Sequence, residues 1–101
     1  MTVQAEPYED VLYLYVQHGC ELCAEAEAEL EASPFRFIKF HVTAAPEPAY
    51  ALVWNPDGTT ERVERGLFHG FPMLVDRWLG LRFVGLPAIQ QRIGSSPKPW
   101  T

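Results

Sequence analysis

Val11-Leu12-Tyr13-Leu14-Tyr15-Val16 leads through Gln17-His18-Gly19 into Cys20-Glu21-Leu22-Cys23, the segment that holds both cysteines of this 101-residue chain. The apolar run has few polar breaks, which is typical of a strand in a parallel sheet buried on both faces. Residues 21–32 are strong helix formers, and Ser33-Pro34 ends the run. The sequence therefore predicts a strand over residues 11–17, then the cysteine pair, then a helix.

This order puts the first thiol at the N-terminus of a helix. The unpaired backbone N–H groups at such an end stabilise a negative charge, and a thiolate is the form of cysteine that attacks a disulfide. A closed structural zinc site needs four ligands, whereas one C-x-x-C segment supplies two. The pattern therefore predicts a thiol–disulfide exchange site formed by Cys20 and Cys23.

Two further strands and a tight turn are predicted in the middle of the chain. Residues 35–42 alternate apolar and polar side chains over most of their length, which indicates a second strand. Residues 50–54 and 59–63 flank Asn55-Pro56-Asp57-Gly58, a typical turn sequence. We therefore expect a β-hairpin within the region 43–70.

The last third of the chain predicts a second hairpin and a short helix. Residues 71–77 and 81–85 flank the turn Trp78-Leu79-Gly80. The apolar residues between 71 and 79 also fit the spacing of a helix. Periodicity alone does not distinguish a helix from a hairpin in so short a run. We favour the hairpin. Residues 86–93 are predicted to form a short helix, because Pro87 stands in its first turn and Gly94 follows its last residue.

Composition indicates one small domain and excludes several classes of partner. A chain of 101 residues with 48% hydrophobic residues suits a single compact domain over residues 1–101. The net charge is −5 and lysine occurs only at Lys39 and Lys98, so we expect no binding of nucleic acid. No apolar stretch approaches the ~20 residues of a membrane span, so we expect no membrane contact.

The ends of the chain carry little sequence signal. Residues 1–10 contain three acidic residues and no basic or apolar block, so we expect no signal peptide and a cytoplasmic protein. In that compartment a lone C-x-x-C is more often redox-active than structural. We expect residues 1–10 and 95–101 to be flexible, and the protein to be a monomer.

The order strand, C-x-x-C, helix, strand, Phe71-Pro72, hairpin and final helix resembles the thioredoxin-like superfamily. The ending Phe71-Pro72-Met73-Leu74-Val75 with Arg82-Phe83-Val84-Gly85-Leu86-Pro87 is most similar to a small glutaredoxin. The resemblance implies an α/β domain with a mixed sheet of four to six strands flanked by helices. In that family a helix occupies the region 43–70, where this sequence predicts a hairpin.

The resemblance also implies roles for individual residues. Cys20 would be the exposed nucleophile that forms a mixed disulfide with substrate, and Cys23 would resolve it. Pro72 would match the cis-proline that faces the cysteines, and Phe71 would offer its backbone to a bound substrate. His18 is the remaining candidate: an imidazolium would favour the thiolate, and a neutral ring could bind a metal.

The expected activity is reduction of protein or low-molecular-weight disulfides. Electrons would come from a reductase or from glutathione, and no bound cofactor is expected. Two other functions stay open at this point. Cys20 and Cys23 could carry a soft metal (copper or zinc) or a shared iron–sulfur cluster, since thiolates suit such ions. Alternatively, the protein could be an interaction module that has the thioredoxin-like fold but no catalytic activity, with the cysteines packed as small hydrophobic residues.

Overall fold

A computed structural model describes residues 11–77 and 79–94 of the chain, as six strands, two α-helices and one 3-10 turn. The elements in chain order are β1 (Val11–Val16), α1 (Glu21–Glu31), β2 (Arg36–Ala44), β3 (Tyr50–Trp54), β4 (Thr60–Glu64), the 3-10 turn (Arg65–Leu67), β5 (Met73–Asp76), β6 (Leu81–Val84) and α2 (Leu86–Ile93).

All six strands join one mixed sheet in the order β4-β3-β2-β1-β5-β6. Strand β1 pairs with β2 in parallel, with Val11 beside Arg36 and Val16 beside His41. Every other pairing in the sheet is antiparallel. Parallel neighbours require a crossover connection, and α1 supplies it between β1 and β2. The β1–α1–β2 unit is therefore the centre of the fold.

The predicted strands, helices and hairpins are confirmed, with small changes at their boundaries. Strand β2 extends two residues beyond the predicted end, to Ala44, where it pairs with β3. The region 43–70 contains the predicted hairpin, β3 and β4, and a 3-10 turn follows it. The segment from Phe71 onwards forms the hairpin β5–β6 and not the alternative helix. Trp78 in its turn, and the predicted flexible ends at 1–10 and 95–101, lie outside the described residues.

Both α-helices pack on the same face of the sheet. Leu12, Leu14 and Val16 alternate along β1 toward that face and are buried with Leu74 of β5. Helix α1 contributes Cys23, Ala26 and Leu30 to this core, and α2 contributes Leu86 and Ile89. Spacings of three and four residues put those side chains on one side of each helix. Burial of this cluster fixes α1, and hence its N-terminus, over the end of β1.

The opposite face of the sheet carries aromatic residues and no helix among the described residues. Tyr15 stacks on Phe40 at 5.1 Å, and Phe68 lies 5.5 Å from Tyr15 between ring centroids. Phe68 in turn stacks on Phe71 at 5.7 Å. Burial raises the pKa of the Tyr15 hydroxyl, and nearby Tyr13 and Glu61 add to the effect. The residues that precede β5 therefore cover part of this second face.

No helix among residues 11–77 and 79–94 combines the length and apolar character needed to cross a membrane. The cytoplasmic location stays a prediction.

A buried ion pair ties α2 to the β5–β6 hairpin. Asp76 is 1% exposed, and its Oδ2 accepts from Arg92 Nη2 at 2.7 Å and Nε at 2.9 Å. Its second oxygen accepts from the Leu79 backbone N–H at 3.1 Å. The Arg92 guanidinium also lies 4.7 Å from the centroid of the Phe35 ring. Both oxygens of this buried carboxylate are thus satisfied, as burial of a charge requires.

We expect Arg92→Met to lower the free energy of unfolding by about 3–5 kcal/mol, because the change leaves the Asp76 carboxylate buried without its cation. Arg62→Met is the matched control, since Arg62 pairs with Glu47 at the surface, where a pair is worth at most about 1 kcal/mol. Urea unfolding followed by circular dichroism measures both. Equal losses for the two variants would contradict the structural role of the Asp76–Arg92 pair.

Candidate active site

The cysteine pair lies where β1 ends and α1 begins. Residues 17–19 form the short loop between them, and Gly19 has φ +76°, a conformation that favours glycine. Cys20 follows in extended conformation as the N-cap of α1, and its Sγ accepts from the Cys23 backbone N–H at 3.1 Å. The sulfur thus takes the place that a serine or aspartate oxygen takes in other helix caps. The turn at Gly19 and the capping hydrogen bond together place Cys20 at the N-terminus of α1.

Cys20 and Cys23 form a disulfide, with 5.2 Å between their Cα atoms. That separation is within the ordinary range for a disulfide. The two sulfurs differ in environment: Cys20 is half-buried, whereas Cys23 is 3% exposed and belongs to the core between helices and sheet. Cys20 is therefore the more accessible residue of the pair.

Phe71 and Pro72 lie at the same edge of the sheet as the cysteines. Tyr15 pairs with Met73, and continuing this antiparallel register by one residue brings Pro72 beside Val16. The Phe71–Pro72 bond is cis, and the Pro72 carbonyl accepts from the Gly85 backbone N–H at 2.8 Å. Phe71 and Cys20 are both half-buried and pack against the helix-side core. The three candidates Cys20, Phe71 and Pro72 thus share one end of the β1–β5 pair.

An open cleft of about 370 Å³ surrounds the cysteine pair. Its lining consists of Val16, Gln17, His18, Gly19, Cys20, Glu21, Cys23, Ala24, Glu27 and His41. His18 and Glu21 are exposed and flank Cys20 in sequence. The structure places His18 in the cleft with both cysteines and shows no hydrogen bond from its ring among the described residues.

One carboxylate of the cleft is already paired. Glu27 lies one turn after Cys23 on α1, and its Oε2 is 2.8 Å from Lys39 Nζ on β2. The pair joins the helix to the strand beneath it, and both side chains are roughly one-third exposed. Glu21 is the acidic residue nearest Cys20 in sequence, so the cysteine end of the cleft carries a negative charge at its rim.

Sequence reasoning missed Glu27 and His41 as cleft residues. His41 comes 21 residues after Cys20 in the chain and lies in the cleft only because it pairs with Val16 across β1 and β2. A predicted parallel register between these strands could have found it. Glu27 could have been found from its helical spacing, since residues i and i+4 share a face and Cys23 is four residues earlier.

A cavity slightly larger than this cleft lies elsewhere in the described part of the chain. It has a volume of about 400 Å³ and lies on the second face of the sheet. Its walls include Tyr13, Tyr15, Phe40, Phe68 and Met73. We place the candidate site at the smaller cleft because both cysteines line it. No group of three or more histidine, cysteine or acidic residues that could hold a metal occurs among the described residues.

Comparisons with protein-family models, with curated proteins and with solved structures find no match to this chain. The interpretation of the site therefore depends on its geometry.

The capping role of Cys20 can be measured apart from the disulfide. Cys20→Ser and Cys20→Ala both remove the disulfide, but only serine keeps an acceptor for the Cys23 N–H. We expect Cys20→Ala to be less stable than Cys20→Ser by about 1 kcal/mol, the usual value of an N-cap side chain. Chemical unfolding of the two variants under reducing conditions gives the difference. Equal stability would show that the Cys20 side chain does not cap α1.

Proposed function

We propose that this chain is a thioredoxin-like thiol–disulfide oxidoreductase, most similar to a small glutaredoxin, that reduces disulfides through Cys20 and Cys23. The observation that carries the proposal is the bonded pair at the N-terminus of α1, with one half-buried and one buried sulfur in an open cleft. The mixed sheet with a parallel β1–β2 unit and the cis Phe71–Pro72 bond at the same edge supports the thioredoxin-like assignment.

The chemistry needs two exchanges. In the reduced protein, the Cys20 thiolate attacks one sulfur of a substrate disulfide, forms a mixed disulfide and expels the other half as a thiolate. The Cys23 thiolate then attacks the Cys20 sulfur, closes the Cys20–Cys23 disulfide and releases the second half. The substrate gains two electrons and ends as two thiols, and the protein loses two electrons. A reductase or a low-molecular-weight thiol such as glutathione must return them.

Each position in the site has a part in this sequence of steps. The Cys23 backbone N–H at the start of α1 donates to the Cys20 sulfur and favours its thiolate. Burial of Cys23 keeps it from competing for substrate, while its place one turn inside the helix keeps it within bonding range of Cys20. Phe71 would offer its backbone to an extended substrate, as an unpaired strand does.

Soft-metal binding uses the same two cysteines and remains the second candidate. Cys20 and Cys23 lie close enough together to bind one ion between them, which is the observation in its favour. The metal would need both cysteines reduced, because sulfurs in a disulfide are not thiolate ligands. Titration of the reduced protein with zinc or copper(I) decides this candidate directly.

The proposal is tested by equilibrating the protein in graded glutathione redox buffers, alkylating the free thiols and measuring the mass of the products by mass spectrometry. We expect a reversible Cys20–Cys23 disulfide with a midpoint of about −200 to −270 mV, the range of glutaredoxin- and thioredoxin-type catalysts. Cys20→Ser should keep its fold and show no intramolecular disulfide and no disulfide reductase activity. A protein that stays dithiol across the whole range, or a Cys20→Ser variant with full activity, would contradict the proposal.

A further inference from the structure

The cavity on the second face of the sheet has the size of a small-molecule site. Its volume of about 400 Å³ is within the usual range of ligand pockets, about 300–1,000 Å³. Each of the six strands contributes at least one residue to its lining. Neither Cys20 nor Cys23 is part of that lining, so a ligand of this cavity is independent of the proposed disulfide exchange.

Four aromatic rings form one continuous surface in the cavity. Tyr15 lies between Phe40 and Phe68, with 5.1 Å and 5.5 Å between the ring centroids. Tyr13 meets Phe40 in a T-shaped arrangement at 5.0 Å. All four residues line the cavity. Aromatic rings stack on planar molecules, and their faces, which carry partial negative charge, attract a cation.

These rings include the side of β1 that neither α1 nor α2 covers. Tyr13 and Tyr15 alternate along the strand with the apolar residues that the helices bury, and both tyrosines remain half-buried. A planar ligand that lies on the two tyrosines removes apolar ring surface from water, which favours its binding.

Glu61 supplies a negative charge beside the rings. It pairs with Val53, whose side chain is buried on the second face, so Glu61 lies on that face as well. Its carboxylate makes no ion pair with another of the residues that the structure describes. Burial raises the pKa of the Tyr15 hydroxyl, and Tyr13 and the Glu61 carboxylate add to the rise. The carboxylate is therefore close to the aromatic surface and available to a cationic ligand.

Arg82 is the other charged side chain in the lining among the described residues, on β6 at the opposite edge of the sheet. Its Nη1 lies 3.4 Å from His69 Nε2. Arg82 lowers the pKa of Tyr15, but its effect is smaller than that of Glu61. A cationic group is thus attracted at the β4 side of the cavity and repelled at the β6 side, which fixes the orientation of a ligand.

We propose that this cavity binds a planar aromatic cation, with its rings on the four aromatic side chains and its cationic group beside Glu61. The aromatic surface selects a planar molecule, and Glu61 together with the net charge of −5 selects a positive one. A planar anion meets the Glu61 carboxylate close to the rings, and an aliphatic cation gives up the stacking contact. Either is therefore a poorer ligand.

Three naphthalene derivatives test the preference for charge. The amine 2-naphthylmethylamine is cationic at neutral pH, 2-naphthylmethanol is neutral and 2-naphthoate is anionic. The three probes share one ring system, so differences in their affinities report the effect of charge.

Met73 supplies a reporter inside the cavity. It lines the cavity and is 3% exposed, and the sequence has one other methionine, Met1. Protein labelled with carbon-13 at the methionine methyl groups therefore gives two signals, and Met73→Leu identifies the signal from the cavity. An aromatic molecule bound beside this methyl group shifts its signal by ring currents, so a titration gives the dissociation constant of each probe.

We expect the cationic probe to bind about two- to five-fold more tightly than the neutral one, and the anionic probe to bind most weakly, since an exposed ion pair or cation–π contact contributes about this much. Glu61→Gln should lower the affinity for 2-naphthylmethylamine about two- to five-fold and leave that for 2-naphthylmethanol within about 1.5-fold. Arg82→Gln should not lower the affinity for the cationic probe, because it removes a repulsion. The difference between the probes should shrink in about 0.5 M salt, which screens exposed charges.

Glu64→Gln is the matched control. It makes the same change in net charge on the same strand, where Glu64 pairs with Tyr50 and lies on the face of the sheet that carries the helices. We expect it to change the affinity for each probe by less than about 1.5-fold, because exposed charges at a distance are screened. Circular dichroism and thermal melting confirm that the variants are folded.

Phe68→Leu tests the aromatic surface apart from the charge. Leucine keeps an apolar side chain and removes the ring that lies 5.5 Å from Tyr15. We expect all three probes to bind about two- to ten-fold more weakly, because an aromatic contact contributes about this much. Unchanged affinities in a folded Phe68→Leu protein would contradict the role of the rings.

Four outcomes would overturn the inference. The cationic class is wrong if the cationic and neutral probes bind equally and Glu61→Gln changes neither, or if 2-naphthoate binds most tightly and Arg82→Gln weakens it. No shift of the Met73 signal with any probe would mean that the cavity is not a site for such molecules. A Met73 signal that changes with protein concentration in the absence of a probe would show that a second copy of the chain covers this face. None of these results bears on the exchange proposed for the cysteines.

Discussion

The parallel pairing of β1 with β2 is the constraint from which the candidate site follows. Two parallel neighbours must be joined by a crossover, and α1 is that crossover. The helix must therefore start just beyond the end of β1, and the residue at its start is Cys20. The same pairing brings His41 beside Val16 and so into the cleft. The position of Cys20 at this end of the sheet is a consequence of topology as much as of the motif.

Packing decides which sulfur of the pair is accessible. The side of α1 that carries Cys23, Ala26 and Leu30 is buried against β1 and α2, so Cys23 is held in the core. Cys20 precedes the helix and lies outside that contact, half-buried at the cleft. The buried pair of Asp76 with Arg92 holds α2 against the sheet, and α2 completes the core in which Cys23 lies. Stability of the far end of the domain thus supports the geometry at the cysteines.

Much of the architecture could be predicted from local sequence signals. The apolar run before Cys20, the helix-forming run after it and the turn Asn55-Pro56-Asp57-Gly58 each specify an element without reference to the rest of the chain. The predicted hairpin β5–β6 was the harder case, because residues 71–79 fit two periodicities. The segment is a strand because it pairs with β1. Its successive side chains lie on opposite faces of the sheet: Leu74 is buried against the helices, and Val75 lies on the other face.

What the sequence could not supply depends on contacts between distant residues. The place of His41 in the cleft follows from its pairing with Val16 across β1 and β2. The position of both helices on one face, with an aromatic second face, follows from the same non-local packing. Periodicity within a segment carries no information on which face of a sheet its neighbours cover.

In the proposed exchange, Cys20 receives the substrate and Cys23 resolves the mixed disulfide. The most direct measurement is to mix reduced Cys23→Ser and reduced Cys20→Ser separately with bis(2-hydroxyethyl) disulfide and to locate the adduct by peptide mass. We expect a stable mixed disulfide on Cys20 in the first variant and a much slower reaction at Cys23 in the second, because Cys23 is 3% exposed. Equal rates at the two sulfurs, or no adduct on Cys20, would contradict it.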